Sequence, residues 1–276
     1  MCSSDLDRLP NKLPFGDLLS ESFGFFFANL RLFFHLVTIP WIISLVLRIV
    51  AAGLNRESPL GMLAEKAIDV IPTVMFMVAW MRVVLMGPRS VERLPGLGWS
   101  ARESAFLMHL IRIGGVTFLL IGAFVLTLGS IDPAGFSSGQ IDPDLAKRET
   151  LAAPLGVGFM VSALIALRVS FGLAATAVGA PFSPREAWAF SRGSAWAIVA
   201  TLFLIYFAGA IAIMVAALVP HAVIRSIGAD TAAAVIAWAI AILVSYAGVG
   251  IAATAQAIIF RRLTGWREGV PLNPPG

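Results

Sequence analysis

The chain has 276 residues, of which 58% are hydrophobic and 13% charged, and its mean hydropathy of +0.87 is too high for a soluble domain of this length. A soluble core could not hide so much apolar surface, so an all-α, polytopic membrane protein is expected. The net charge of +4 does not indicate a nucleic-acid partner, because the arginines stand at the ends of apolar runs and not in one stripe; anionic lipid headgroups account for them better.

Taken in order, the chain opens with Met1 to Leu6, whose Cys-Ser-Ser-Asp-Leu run resembles one frame of a sequencing adapter and is treated as non-native. Residues 1–14 form a tail, 15–267 the membrane domain and 268–276 a second tail. Nothing before the first span has the pattern of a cleaved signal peptide, so that span is expected to act as its own anchor. A spanning helix needs about 20 apolar residues to cross roughly 30 Å of hydrocarbon. Six stretches qualify: Leu32–Gly53, Ile68–Met86, Phe106–Leu128, Leu151–Leu167, Trp196–Val219 and Ala233–Phe260. They are too long and too evenly apolar for barrel strands.

The segments between the spans divide by charge. One set holds Arg8, Lys12 and Arg31; Arg82, Arg89, Arg93, Arg102 and Arg112; Arg185 and Arg192; and Arg261, Arg262 and Arg267. The other holds Arg48, Arg56, Lys66, Lys147, Arg148 and Arg225, with Asp132, Asp142, Asp144 and Glu149. The bias, about two to one, places both termini in the cytoplasm by the positive-inside rule. An even number of spans agrees with that.

The basic junctions also repeat a local pattern. Ser100-Ala101-Arg102-Glu103 and Ser183-Pro184-Arg185-Glu186 both carry the capping-box spacing, in which the Ser oxygen takes a backbone N–H and the Glu reaches back to the cap. Glu21 holds the same place before the first span without the Ser, and Asp17 is expected to cap one turn earlier. Each start is followed by two spans, and the second ends in an Arg with a Gly nearby: Arg82 with Gly87, Arg168 with Gly172, Arg261 with Gly265. The expectation is three helical hairpins related by duplication, with interfacial helices leading into them.

At these residues the sequence resembles a group of bacterial inner-membrane proteins related to the membrane domain fused to some glycerophosphodiester phosphodiesterases. The motifs are Glu21-Ser22-Phe23 with Asn29 and Pro40, the run from Ala79 through Trp80, Met81 and Arg82 to Gly87, and Leu167-Arg168-Val169-Ser170 leading to Gly179. Further on stand Glu186-Ala187-Trp188, Ser191-Arg192-Gly193 and the run from Phe260 through Arg261 and Arg262 to Gly265. The chain departs from that group at Met81, where His is common, and in its Pro- and Gly-rich loop before Ser100. The resemblance implies a stand-alone membrane module and no catalytic residues.

The residues themselves suggest little chemistry. His35, His109 and His221 lie in different elements and form no metal-ligand pair, so each reads as a packing or interfacial side chain. Gly193-Ser194 and Gly129-Ser130 lack the G-x-S-x-G elbow and a His/Asp partner set. The glycines of Gly156-Val157-Gly158 and Gly248-Val249-Gly250 fall inside spans and read as helix contacts. So do the four-residue repeats Ala208, Ala212, Ala216 and Ala233, Ala237, Ala241, Ser245.

Arg168 is the sharpest candidate for transport, since a charge at mid-depth would be costly without a use. Its match to Arg82 and Arg261 favours a helix end instead, where it would snorkel, and makes Val169–Phe182 a shallow interfacial or re-entrant piece. Arg48 and Asp69 are placed to pair across the first hairpin, and Pro40 and Pro72 are ordinary membrane-helix prolines. The expected function is a non-enzymatic inner-membrane protein that contacts lipid through Arg82, Arg168, Arg192, Arg261 and Arg262 and supports membrane or envelope organisation. The alternative is a transporter or lipid carrier with a cytoplasmic-side anion cavity. Anionic lipids, and a second copy or another membrane protein, are the expected partners; no nucleic acid, metal or cofactor is expected.

Overall fold

The computed structural model describes residues 13–53, 59–91, 99–128, 143–225, 230–270 and 272, which form α-helices, one 3₁₀ turn and short connections. The sequence readings placed on Arg8, Lys12, Arg56, Arg93, Asp132 and Asp142 lie outside the described residues, as do those on the side chains of Lys66, Asp144, Lys147, Arg148, Glu149 and Arg225. In chain order the helices are α1 (Phe15–Ala28), α2 (Leu30–Gly53), α3 (Pro59–Met86), α4 (Ala101–Leu128), α5 (Pro143–Val169), α6 (Gly172–Ala177), α7 (Pro184–Phe190), α8 (Ala195–Arg225) and α9 (Asp230–Thr264). The 3₁₀ turn, Pro88–Ser90, follows α3.

Among the described residues five helical segments are long and apolar enough to cross a membrane: Leu30–Ala51, Ile68–Met86, Ala101–Ala123, Ala195–Ile224 and Ala232–Thr264. They match five of the six expected spans. The remaining one falls in α5, whose described apolar part, Gly156–Val169, is shorter. The outer faces suit hydrocarbon: Phe118, Leu119 and Trp196 are each more than 70% exposed, and Phe203, Phe207, Met214 and Leu218 line one side of α8. In water such a surface would drive aggregation, whereas in lipid it costs nothing.

Helix α9 is the hub, packing on α1, α2, α3, α6 and α8. Its stretch 250–260 is buried on every side, and small residues allow this. A Cβ on Gly250 would stand 3.0 Å from Phe26, and one on Gly248 would stand 3.8 Å from the Gly209 Cα on α8. Here two backbones meet with no side chain between them, the close approach that small residues provide in lipid. The helix-contact reading of Gly248 and Gly250 therefore holds, and Ala233 and Ala237 are buried as expected. On α8, however, Ala208 and Ala212 are exposed and Ala216 is partly buried; the contact face runs instead through Ile198, Leu202, Ile205 and Gly209. One position along a helix is a rotation of about 100°, so the small-residue spacing marked the wrong face.

Against α9 stands an aromatic cluster. Phe26, Phe33, Phe76 and Trp80 meet at centroid distances of 4.9 to 6.0 Å, and Tyr246 closes it against Phe76 at 5.4 Å. The Trp80 indole donates to Thr254 Oγ1 at 2.8 Å, so the buried N–H is satisfied. Met81, next in the chain and a position where His is common in the resembled group, is fully buried.

Local chemistry sets the helix ends. Ser183 Oγ accepts from the Glu186 N–H at 3.2 Å while the Ser183 N–H donates to Glu186 Oε2 at 2.6 Å, the full capping box. At α4 the Ser100 N–H donates to Glu103 Oε2 at 2.9 Å, and Ser100 Oγ takes the Arg102 N–H at 3.2 Å. Asp17 does not cap α1: Pro14 is the N-cap, with no side-chain bond, and Asp17 lies inside the first turn, where a negative charge suits the free N–H groups. Gly87 (φ 87°) and Gly265 (φ 64°) follow α3 and α9 in the left-handed region. Gly172 is different. It is the first residue of α6, a Cβ on it would be 3.2 Å from Phe182, and the left-handed glycine of that junction is Gly179 (φ 73°).

The segment Val169–Phe182, expected to be a shallow interfacial or re-entrant piece, is drawn into the bundle. Its centre, α6, packs on α3, α4 and α9, with Gly172, Leu173, Ala174, Ala175 and Ala177 all buried. The one polar side chain of α6, Thr176, stands against His109 Nδ1 on α4 at 3.3 Å.

Candidate functional site

The five expected lipid-contact arginines fall at helix ends, and four of them are held by neighbouring segments. Arg82, near the end of α3, donates through Nη2 to Ser90 O at 2.8 Å, and Ser90 Oγ in turn donates to Gly87 O at 2.7 Å, so the Arg ties down the turn that leaves the helix. Arg168, in the last turn of α5, donates through Nε to Ser191 Oγ at 2.8 Å and through Nη2 to Trp188 O at 3.2 Å. Its guanidinium also stacks 3.5 Å from the centre of the Trp188 ring. Arg261 and Arg262, in the last turn of α9, both pair with Glu21 on α1, Arg261 at 3.5 Å. Arg192 is exposed and near enough for its charge to act on Arg168.

Each helix end is thereby fastened to an adjacent segment: α3 to its own turn, α5 to α7, α9 to α1. Glu21, which has no capping Ser, serves as counter-ion instead. Arg48, expected opposite Asp69, has its guanidinium 5.7 Å from the centre of the Trp238 ring on α9.

Beside Arg168 an apolar groove of about 350 Å³ opens between α4, α5 and the start of α7. Helix α4 contributes Arg112, Ile113, Val116 and Thr117, and α5 contributes Ile165, Ala166 and Val169. Pro184, Arg185 and Trp188 complete it. The Thr117 hydroxyl is used within its own helix, donating to Ile113 O at 2.9 Å, so it presents little free polarity to the groove. Arg112 and Arg185 were visible in the sequence only as two of many junction charges. Their convergence joins positions 73 residues apart, and no spacing rule reports that.

Polar groups in the interior serve packing. Ser44 and Tyr246 share a hydrogen bond of 2.8 Å between α2 and α9, and Trp41 donates to Ala239 O at 2.8 Å. His109 Nδ1 lies 3.3 Å from Thr176 Oγ1, linking α4 to α6. Gln256, not singled out in the sequence, is buried in α9 and donates to Ser170 Oγ at 3.2 Å, at the break between α5 and α6. Among the described residues no three His, Cys, Asp or Glu side chains gather as a metal site would need.

No protein-family model matches the chain, and no curated protein or solved structure matches it significantly. The resemblance carried by the junction motifs gains no support from these comparisons, and function must be read from the geometry.

Proposed function

We propose that the chain is a multi-pass protein of the bacterial inner membrane, without catalytic machinery, whose basic rim binds anionic lipid and which supports membrane or envelope organisation. In this reading α5 is a sixth span, the helices pair as three hairpins, and both ends face the cytoplasm. The observation that carries it is the placement of cations at helix ends, fastened to adjacent segments, below outer faces of α2, α4 and α8 that present only apolar side chains over long stretches. Such a molecule offers headgroups a ring of fixed positive charge and offers acyl chains a matching wall. The likeness to membrane domains fused to phosphodiesterases suits this reading, as a module that lacks the enzyme's own chemistry.

A carrier would need polar groups converging on Arg168. That guanidinium is occupied by Ser191 and Trp188, and the space beside it is walled by apolar side chains, which favours lipid contact over passage of a solute. The test is native mass spectrometry of the purified protein with its co-purifying lipids. Anionic lipids should be enriched over their share of the membrane, in the wild type and in Arg82→Ala. Retained lipid that mirrors the bulk composition would sink the proposal, and a small anion retained by the wild type and lost in Arg168→Ala would establish the carrier in its place.

A further inference from the structure

The rim reading speaks of many diffuse contacts, but one place is built for a single occupant. The groove between α4, α5 and α7 has a cationic end and an apolar length. Arg112 and Arg185 are both exposed, and neither has an ion-pair partner among the described residues. The nearest carboxylate in sequence, Glu186, is committed to the Ser183 cap. Arg168 and Arg192 add positive charge from behind Trp188. A cluster of cations whose one adjacent carboxylate, Glu186, is turned to the Ser183 cap is complementary to a phosphate.

The apolar part is equally specific. From Arg112, the lining positions on α4 proceed through Val116 to Thr117, about 7 Å along the helix axis. Neighbouring positions on the same helices, Phe118, Leu119, Phe159 and Met160, are exposed and apolar, so the groove opens onto the hydrocarbon side of the protein and an occupant enters from the bilayer. Its wall is fixed in advance. Trp188 is locked by the Arg168 stack and by its own carbonyl, which accepts from both Arg168 and Ser191. A volume of about 350 Å³ lies within the range of small-molecule sites.

We propose that this groove binds one anionic phospholipid, its phosphate held by Arg112 and Arg185 and one acyl chain laid along Val116 and Ala166. The site rests on the basic-rim reading and narrows it to a defined position. The bound lipid also bridges α4 and α5 to the junction that launches α8.

Titration of the detergent-purified protein with phosphatidylglycerol, with phosphatidylcholine and with inorganic phosphate, read by native mass spectrometry, tests it. The wild type should hold one phosphatidylglycerol more tightly than phosphatidylcholine, and phosphate alone should not displace it. Arg112→Gln and Arg185→Gln should each weaken that first lipid about fivefold, and the pair roughly thirtyfold, as expected for loss of one or two headgroup charges. Val116→Trp keeps every charge but fills the apolar length, and should abolish tight single-lipid binding while anionic enrichment persists at the rim. If the arginine pair fails to fold, as judged by circular dichroism, Val116→Trp decides alone. Unchanged phosphatidylglycerol binding in Val116→Trp, equal binding of phosphatidylcholine, or displacement by phosphate alone overturns the groove site. Loss of all anionic preference in the wild type overturns the rim reading too.

Discussion

Arg168 shows how one residue separates the available functions. A guanidinium in a membrane protein can wait for a substrate, reach for a headgroup or hold two segments together, and here its nitrogens go to Ser191 Oγ and Trp188 O while its face covers the Trp188 ring. The first observable is therefore stability at the α5 to α7 junction. Arg168→Ala should lower the unfolding midpoint in detergent by the equivalent of roughly 1–2 kcal/mol, the worth of a charge-assisted bond and a stacked cation at a half-buried position. Arg168→Lys should restore little of it, since an ammonium has neither the fork nor the flat face. A full rescue by Lys would mean that charge alone matters there, and the junction would have to be redrawn.

Among the elements, the close pair is α8 with α9, where Gly209 and Gly248 leave nothing between the backbones. The spacing is short enough for a disulfide. With Cys2, the single cysteine in the sequence, changed to Ser, Gly209→Cys with Gly248→Cys should cross-link on mild oxidation in membranes, whereas Ala208→Cys with Gly248→Cys should not. Cross-linking of the second pair in preference to the first would return the contact to the face that the alanine repeat first suggested. Much of this level was legible in the sequence. The end of α3 at Met86 before a left-handed Gly87, the start of α7 at the Ser183 cap and the start of α8 beside Trp196 follow from local rules about caps, glycines and apolar runs. What escaped was relational. That α6 lies inside the bundle, that α8 turns Gly209 and not Ala208 toward α9, and that Arg112 and Arg185 share a groove depend on which helix is whose neighbour. Periodicity identifies a face but not its partner.

For the whole molecule the open quantity is the number of crossings, and it turns on α5. The helix as a whole, Pro143–Val169, is 27 residues long, about 40 Å at 1.5 Å per residue, which exceeds the hydrocarbon thickness; its described apolar part, Gly156–Val169, covers only about 21 Å. A crossing α5 makes the count even and returns the end of the chain to the side where it began. The packing of α1 on α9 argues for this. Glu21, a turn and a half into α1, pairs with Arg261 and Arg262 at the far end of the last helix, so the two ends of the membrane domain sit at one level. In the orientation proposed above, the excess of arginines in those same segments puts that level on the cytoplasmic side. In a Cys2→Ser background, single cysteines at the exposed positions Asp17→Cys and Arg267→Cys should therefore both react with a charged maleimide in inside-out vesicles and be shielded in right-side-out ones. Reaction of the two from opposite sides would require an odd number of spans and leave α5 on one face of the bilayer. It would also break the level shared by Glu21 and the α9 arginines, and with it the packing of α1 along the hub helix.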